Sequence, residues 1–115
     1  PEIVSVGMSP DDAKQAGIEV ITGKFPLAAN GRALTMEAEK TGGFLRVVAR
    51  ADDHQIIGVQ CVGSHVSELS GEFVLAIEMG ALLEDIEGTI HAHPTMTEAF
   101  HEAVLATLGH AIHIS

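Results

Sequence analysis

The sequence has no tryptophan, no tyrosine and only four phenylalanines. It therefore lacks the stacking platforms on which a single-strand nucleic-acid binder lays bases. Six lysines and arginines stand against sixteen aspartates and glutamates, a formal charge of −10. That balance argues against nucleic acid or an anionic membrane surface as a partner and favours a basic protein. Cys61 is the single cysteine, which excludes an internal disulfide framework and any CxxC or CxxxxC dithiol in this segment. No GxGxxG or GxxxxGK[ST] occurs, so the segment carries no recognisable phosphate cradle. Apolar runs are only a few residues long, too short to span a bilayer. No basic stretch leading into an apolar one opens the sequence, so no signal peptide is expected.

What is present is a folded domain's composition: 46% apolar and 19% charged over 115 residues. A chain of that size buries roughly 65% of its unfolded surface and needs no staples. Residues 1–115 are read as one domain, without repeats, low-complexity tracts or linkers.

Apolar and β-branched residues predict strands over residues 3–6 and 18–25. Between them Ser9-Pro10-Asp11-Asp12 has the form of a helix start, and Gly17 of its end. Alternation over 43–50 and 55–62 predicts two further strands, joined by the polar hairpin link Ala51-Asp52-Asp53-His54. Residues 26–34, with the turn pair Asn30-Gly31, are expected to run irregularly. Val66, Leu69, Phe73 and Ile77 follow helical spacing, and a short helix over 81–87 is expected to end at Gly88. From Thr95 onwards, Phe100, Ala103, Val104, Thr107 and Leu108 line a helical face closed by Gly109. The order implies an α+β fold: a mainly antiparallel sheet with helices gathered to one side.

Five of the seven histidines (His91, His93, His101, His110 and His113) fall in the last 25 residues. His93 precedes Pro94, which restricts its backbone, and stands at the mouth of the last helix. Glu98 lies on that helix's first turns. A carboxylate on an imidazole fixes its tautomer and stabilises the imidazolium, the equipment of a general acid/base. The same residues also spell a capping box, in which Glu98 bonds the Thr95 amide instead. Residue types leave both readings open. A zinc reading, with ligands from His91-x-His93 and His110-x-x-His113, has no supporting cysteine or ligand motif, and no metal is assigned. Cys61 reads as a small core residue, and His54 and His65 as loop and helix-start residues. His110 suits a helix C-terminus, and Glu68, Glu72 and Glu78 a solvated helix face. Met79 and Met96 suit either packing or an interface.

Several stretches together carry a family resemblance: Lys24-Phe25-Pro26, Ala28-Ala29-Asn30-Gly31-Arg32-Ala33, Ile57-Gly58-Val59, His91-Ala92-His93-Pro94-Thr95-x-x-Glu98-Ala99 and Ile112-His113-Ile114. The segment resembles, over its whole length, the C-terminal dimerisation (interface) domain of the pyridine nucleotide–disulfide oxidoreductase family, in its dihydrolipoamide-oxidising branch. The resemblance implies a fragment of a longer FAD- and NAD-dependent enzyme, working as a homodimer in the cytoplasm, or in the mitochondrial matrix of a eukaryote. It implies that His93, oriented by Glu98, deprotonates dihydrolipoamide beside the redox disulfide of the partner subunit, the electrons then passing to FAD and NAD. It further implies a cis His93–Pro94 bond, with the backbone of both residues near the partner's flavin. FAD- and NAD-binding domains and a basic subunit-binding domain of an acyltransferase core would be its neighbours, with Glu78 a candidate contact. The dimer contact is expected around Met79, Leu82 and residues 91–96. The fragment alone should bind no cofactor and catalyse nothing. The alternative is a free-standing, non-catalytic, self-associating module, with or without a metal.

Overall fold

The computed structural model describes residues 2–27, 43–89, 91 and 95–114, with the backbone alone for 110–114. Four strands, β1 (Glu2–Gly7), β2 (Val20–Pro26), β3 (Phe44–Arg50) and β4 (Ile56–Gly63), form one antiparallel sheet in the order β1-β4-β3-β2. Helix α1 (Pro10–Gln15) separates β1 from β2 in the chain. A 3-10 turn (Val66–Leu69), α2 (Ser70–Glu78), α3 (Leu83–Glu87) and α4 (Glu98–Ile114) follow β4. This is the expected α+β architecture. The Ala28–Ala33 block with its Asn30-Gly31 turn lies outside the described residues.

Strand alternation does the work the sequence pattern implies. Pairing of Leu45 with Cys61, Val47 with Val59 and Ala49 with Ile21 puts the apolar side chains on one face. Against that face pack Phe73 of α2, Leu83 and Ile86 of α3, and Ala99, Phe100, Ala103 and Val104 of α4. Phe73 and Phe100 meet edge to face with ring centroids 5.0 Å apart, so α2 and α4 share one aromatic contact over the sheet. Each buried Val, Leu, Ile or Phe side chain contributes about 1.5–3 kcal/mol of hydrophobic stabilisation. Val48 is buried as well, on the opposite face. Met8 crosses that face over Gly58, the β4 partner of Val48, where any Cβ would collide with the Met8 carbonyl.

Helix α1 starts as its sequence dictates. Ser9 Oγ accepts the Asp12 amide at 3.1 Å, and the Ser9 amide donates to Asp12 Oδ2 at 3.0 Å, a reciprocal cap. The Ser9 amide, followed by its hydroxyl, holds the Asp12 carboxyl below the usual range. Gly17 follows with φ +73°, the left-handed conformation that ends the helix.

Three expectations need correction. Helix α4 does not stop at Gly109 but runs to Ile114, so His110 lies inside the helix and not at its C-terminus. A mid-helix glycine costs about 1 kcal/mol relative to alanine, which the packed face of α4 outweighs. Residues 66–80 are not one continuous helix, since a 3-10 turn precedes α2 and His65 stands before it with φ 64°. The last helix of the hairpin region begins at Leu83 and not at residue 81, because Gln55 and Leu82 form an isolated antiparallel bridge. Among the described residues, no helix is long and apolar enough to cross a membrane.

Candidate acid–base site

The region of interest is the connection from α3 to α4. Helix α3 begins with the Leu82 amide donating to Asp85 Oδ2 at 2.8 Å and ends with Thr89 Oγ1 donating to the Asp85 carbonyl at 2.8 Å. The chain then reaches His91, whose Nε2–H donates to Glu72 Oε2 on α2 at 2.9 Å. The His91 side chain is only 6% exposed and that of Glu72 28%. The expectation that Glu72 belongs to a solvated face is therefore corrected: it turns inward to meet an imidazole 19 residues away. Nothing in the local pattern signals such a contact, because only the packing of α2 against the connection brings the two together.

His101 on α4 stands beside His91, with ring centroids 5.6 Å apart. Its Nε2–H donates to the Glu87 carbonyl oxygen at 3.0 Å, which ties α4 to the end of α3. On the far side of the connection, the Thr95 amide donates to Glu98 Oε1 at 2.9 Å, and the Thr95 and Thr97 hydroxyls are 2.8 Å apart. The capping half of the Thr95-x-x-Glu98 reading is thus present. His93 and Pro94 lie outside the described residues, as do the His93–Pro94 bond and the ring contact expected of Glu98. Met96, buried in the core, anchors the start of α4.

His54 lies in the β3–β4 loop, partly exposed, and makes a side-chain contact that the expectation of a solvated loop residue did not include. It adopts φ 68°, and its Nδ1–H donates to Glu84 Oε2 at 2.7 Å. Cys61 behaves as expected. It has no exposure, and burial pushes its thiol up to about 12, so it stays protonated and unreactive at neutral pH. Among the described residues, no three His, Cys, Asp or Glu side chains converge as metal ligands. The side chains of His110 and His113 are outside the described set.

Two grooves lie among the described residues, and the lining of the first does not suit a phosphate. An open groove of about 340 Å³ is lined by Gly17, Ile18, Glu19, Arg50, Ala51 and Asp52. Its one cation, Arg50, is already bonded through Nε to Asp52 Oδ1 at 3.2 Å, and two acids face any entering phosphate. A second groove, about 230 Å³, is lined mainly by apolar groups of α2, α3 and the link between them, together with Glu72 and Thr89.

Residues 1–104 match the family model described as the pyridine nucleotide-disulphide oxidoreductase dimerisation domain. The chain belongs to this family. The dimerisation domain is 59% identical over 114 residues to the dihydrolipoyl dehydrogenase of Pseudomonas aeruginosa, covering 99% of this chain and 24% of that protein. It is 54% identical over 113 residues to dihydrolipoyl dehydrogenase 2 of Haloarcula marismortui, covering 98% and 24%. Among solved structures, LpdA of Mycobacterium tuberculosis superposes with a TM-score of 0.83 at 25% identity, over 91% of this chain and 22% of that one. The HOCl-induced flavoprotein disulfide reductase RclA of Escherichia coli shares the fold, with a TM-score of 0.82 at 21% identity, over 90% and 23%. The dimerisation domain thus spans about a quarter of the length of the curated relatives it matches.

Proposed function

We propose that this dimerisation domain is the interface part of a dihydrolipoyl dehydrogenase and supplies half of its thiol–disulfide site. The observation that carries this reading is 59% identity to a protein of that name across 99% of the chain. Glu98, five residues after His93, is held on the first turn of α4 by the Thr95 amide. In the proposed step, His93 takes the proton from one thiol of dihydrolipoamide. The thiolate attacks one sulfur of a disulfide on the partner subunit, forming a mixed disulfide and releasing the other sulfur as thiolate. Glu98 orients the imidazole and stabilises its cationic form. FAD and NAD are assigned to the rest of the longer chain, since the grooves described above do not suit their phosphates.

The second copy seats on the apolar surface of α2 and its C-terminal end. Val74, Leu75, Met79 and Leu82 are exposed there, 50%, 61%, 74% and 36% respectively, beside the 230 Å³ groove. Large apolar side chains clustered on one surface are unfavourable in water, and a self-complementary patch closes with a single partner.

The test is His93→Gln in the full-length chain. Loss of an acid/base group at this step should lower dihydrolipoamide-dependent reduction of NAD by about 10²–10⁴-fold. Full turnover in that variant overturns the reading.

A further inference from the structure

The connection carrying His93 is held at both ends. At its head, His91 Nε2–H donates to Glu72 Oε2 at 2.9 Å. At its tail, the Thr95 amide donates to Glu98 Oε1 at 2.9 Å. His91 also leans on His101, which is itself bonded to the end of α3. Helices α2, α3 and α4 therefore all bear on the residue two positions ahead of His93.

The Glu72–His91 pair is not the cheapest way to join two elements. Glu72 Oε1 and His91 Nδ1 are both buried without a hydrogen-bond partner. Two apolar side chains of similar volume would join α2 to the connection and leave no polar atom open. What a hydrogen bond adds to packing is direction. An apolar contact tolerates sliding and rotation, whereas Nε2–H···Oε2 restrains the direction of the His91 ring. With a second anchor at Thr95, only three residues lie between fixed points.

We propose that Glu72–His91 is a positioning pair that sets where His93 is delivered for the thiol step. This rests on the assignment of His93 as the base. His91 exchanges no proton with substrate and is a positioning residue. Its effect is one of placement: an error of about 1 Å in a reacting group can cost on the order of 10²-fold, and loss of the outer partner of a metal-bound histidine, a comparable positioning contact, costs about 10–100-fold.

The experiment uses the full-length, flavin-loaded chain and two assays. Dihydrolipoamide-dependent reduction of NAD needs the base. Oxidation of NADH by ferricyanide needs the fold and the flavin but no thiol chemistry. His91→Leu removes the donor, Glu72→Ala removes the acceptor, and His91→Gln keeps an amide N–H near the place of Nε2. The expected result is a fall of about 10–100-fold in kcat with dihydrolipoamide for His91→Leu and Glu72→Ala. KM and ferricyanide turnover should stay within about twofold, and His91→Gln should recover most of the lost rate. Unchanged kcat in either loss variant, with His93→Gln inactive, overturns the proposal, as does a His91→Gln enzyme as slow as His91→Leu. Should His91→Leu lose its flavin, Glu72→Ala decides alone. A fully active His93→Gln enzyme sinks instead the assignment of the base.

Discussion

The Nδ1–H of His54 donates to Glu84 Oε2 at 2.7 Å, joining the β3–β4 turn to α3 across 30 residues of sequence. The backbone makes the same connection, since the Leu83 amide donates to the His54 carbonyl at 3.0 Å. The hydrogen bond from His54 holds the Glu84 carboxyl below its ordinary value of 4.5. A carboxyl depressed by folding stabilises the fold above its unfolded pKa and loses that contribution as pH falls through its folded one. The Glu84 side chain is half exposed, so solvent screening keeps the effect small. Glu84→Gln should lower stability at pH 7 by less than about 1 kcal/mol. The difference from the parent should shrink as pH drops below 4.5, read by denaturant titration at a series of pH values.

Gly23 on β2 faces Thr107 on α4 with no room between them. A Cβ there would collide with the Thr107 hydroxyl and amide and lie 2.7 Å from its Cα. Thr107 cannot retreat freely, because its hydroxyl donates to the Ala103 carbonyl at 2.7 Å inside the core. Gly23→Ala should therefore destabilise the domain by about 1–3 kcal/mol or more, as overpacked cores do. A midpoint of urea unfolding equal to that of the parent would show that α4 can lift off β2 at no cost.

The 115-residue chain should sediment as a two-fold dimer at micromolar concentration and show no dihydrolipoamide-dependent activity. One cysteine cannot form the intrachain disulfide that a two-electron thiol exchange requires. Met79→Glu places a charge at the most exposed of the large apolar side chains on the α2 surface and should shift the sedimentation profile to monomer. Dimers that persist in Met79→Glu would move the contact to another face.

A charge of −10 favours a basic macromolecular partner, and the family resemblance implies that in the intact protein it is the subunit-binding domain of an acyltransferase core. Glu78, exposed at the end of α2, is the contact expected. Binding by full-length enzyme should weaken with salt, because attraction between exposed charges is screened beyond about 8–10 Å at physiological ionic strength. Affinity that ignores both added salt and Glu78→Lys, measured by calorimetry, would remove Glu78 from the contact.

How much of this was legible in the sequence depends on the range of the interaction involved. The alternation of Leu45, Val47 and Ala49 with Arg46 and Arg50 reports a half-buried strand directly, and β3 and β4 appear within a residue of their expected limits. The Ser9–Asp12 cap is equally local, and it forms as written. Gly109 misled because a glycine signals a helix end only when the chain turns there, and α4 continues over it. The Glu72–His91 and His54–Glu84 contacts were invisible because each joins elements whose proximity is created by the fold. Glu98 sits between these cases: its bond to the Thr95 amide is a local cap that the spacing foretold. The role proposed for it toward His93 was one of two readings that residue types left open, and the family resemblance favoured it.

Cys61 lies opposite Leu45 in the middle of the sheet, with its thiol pushed up to about 12 by burial. A sulfur so placed is a gauge already built into the segment. Alkylating reagents attack thiolates, so in the folded state this one is silent, and it reacts only in molecules whose sheet has come apart. When reclosure outpaces labelling, the ratio of its modification rate to that of an unfolded thiol reads the free energy of opening. The strength of the sheet, and the effect on it of each substitution named above, can thus be followed by mass spectrometry through one native atom. No fluorophore has to be introduced into a chain that has neither tryptophan nor tyrosine.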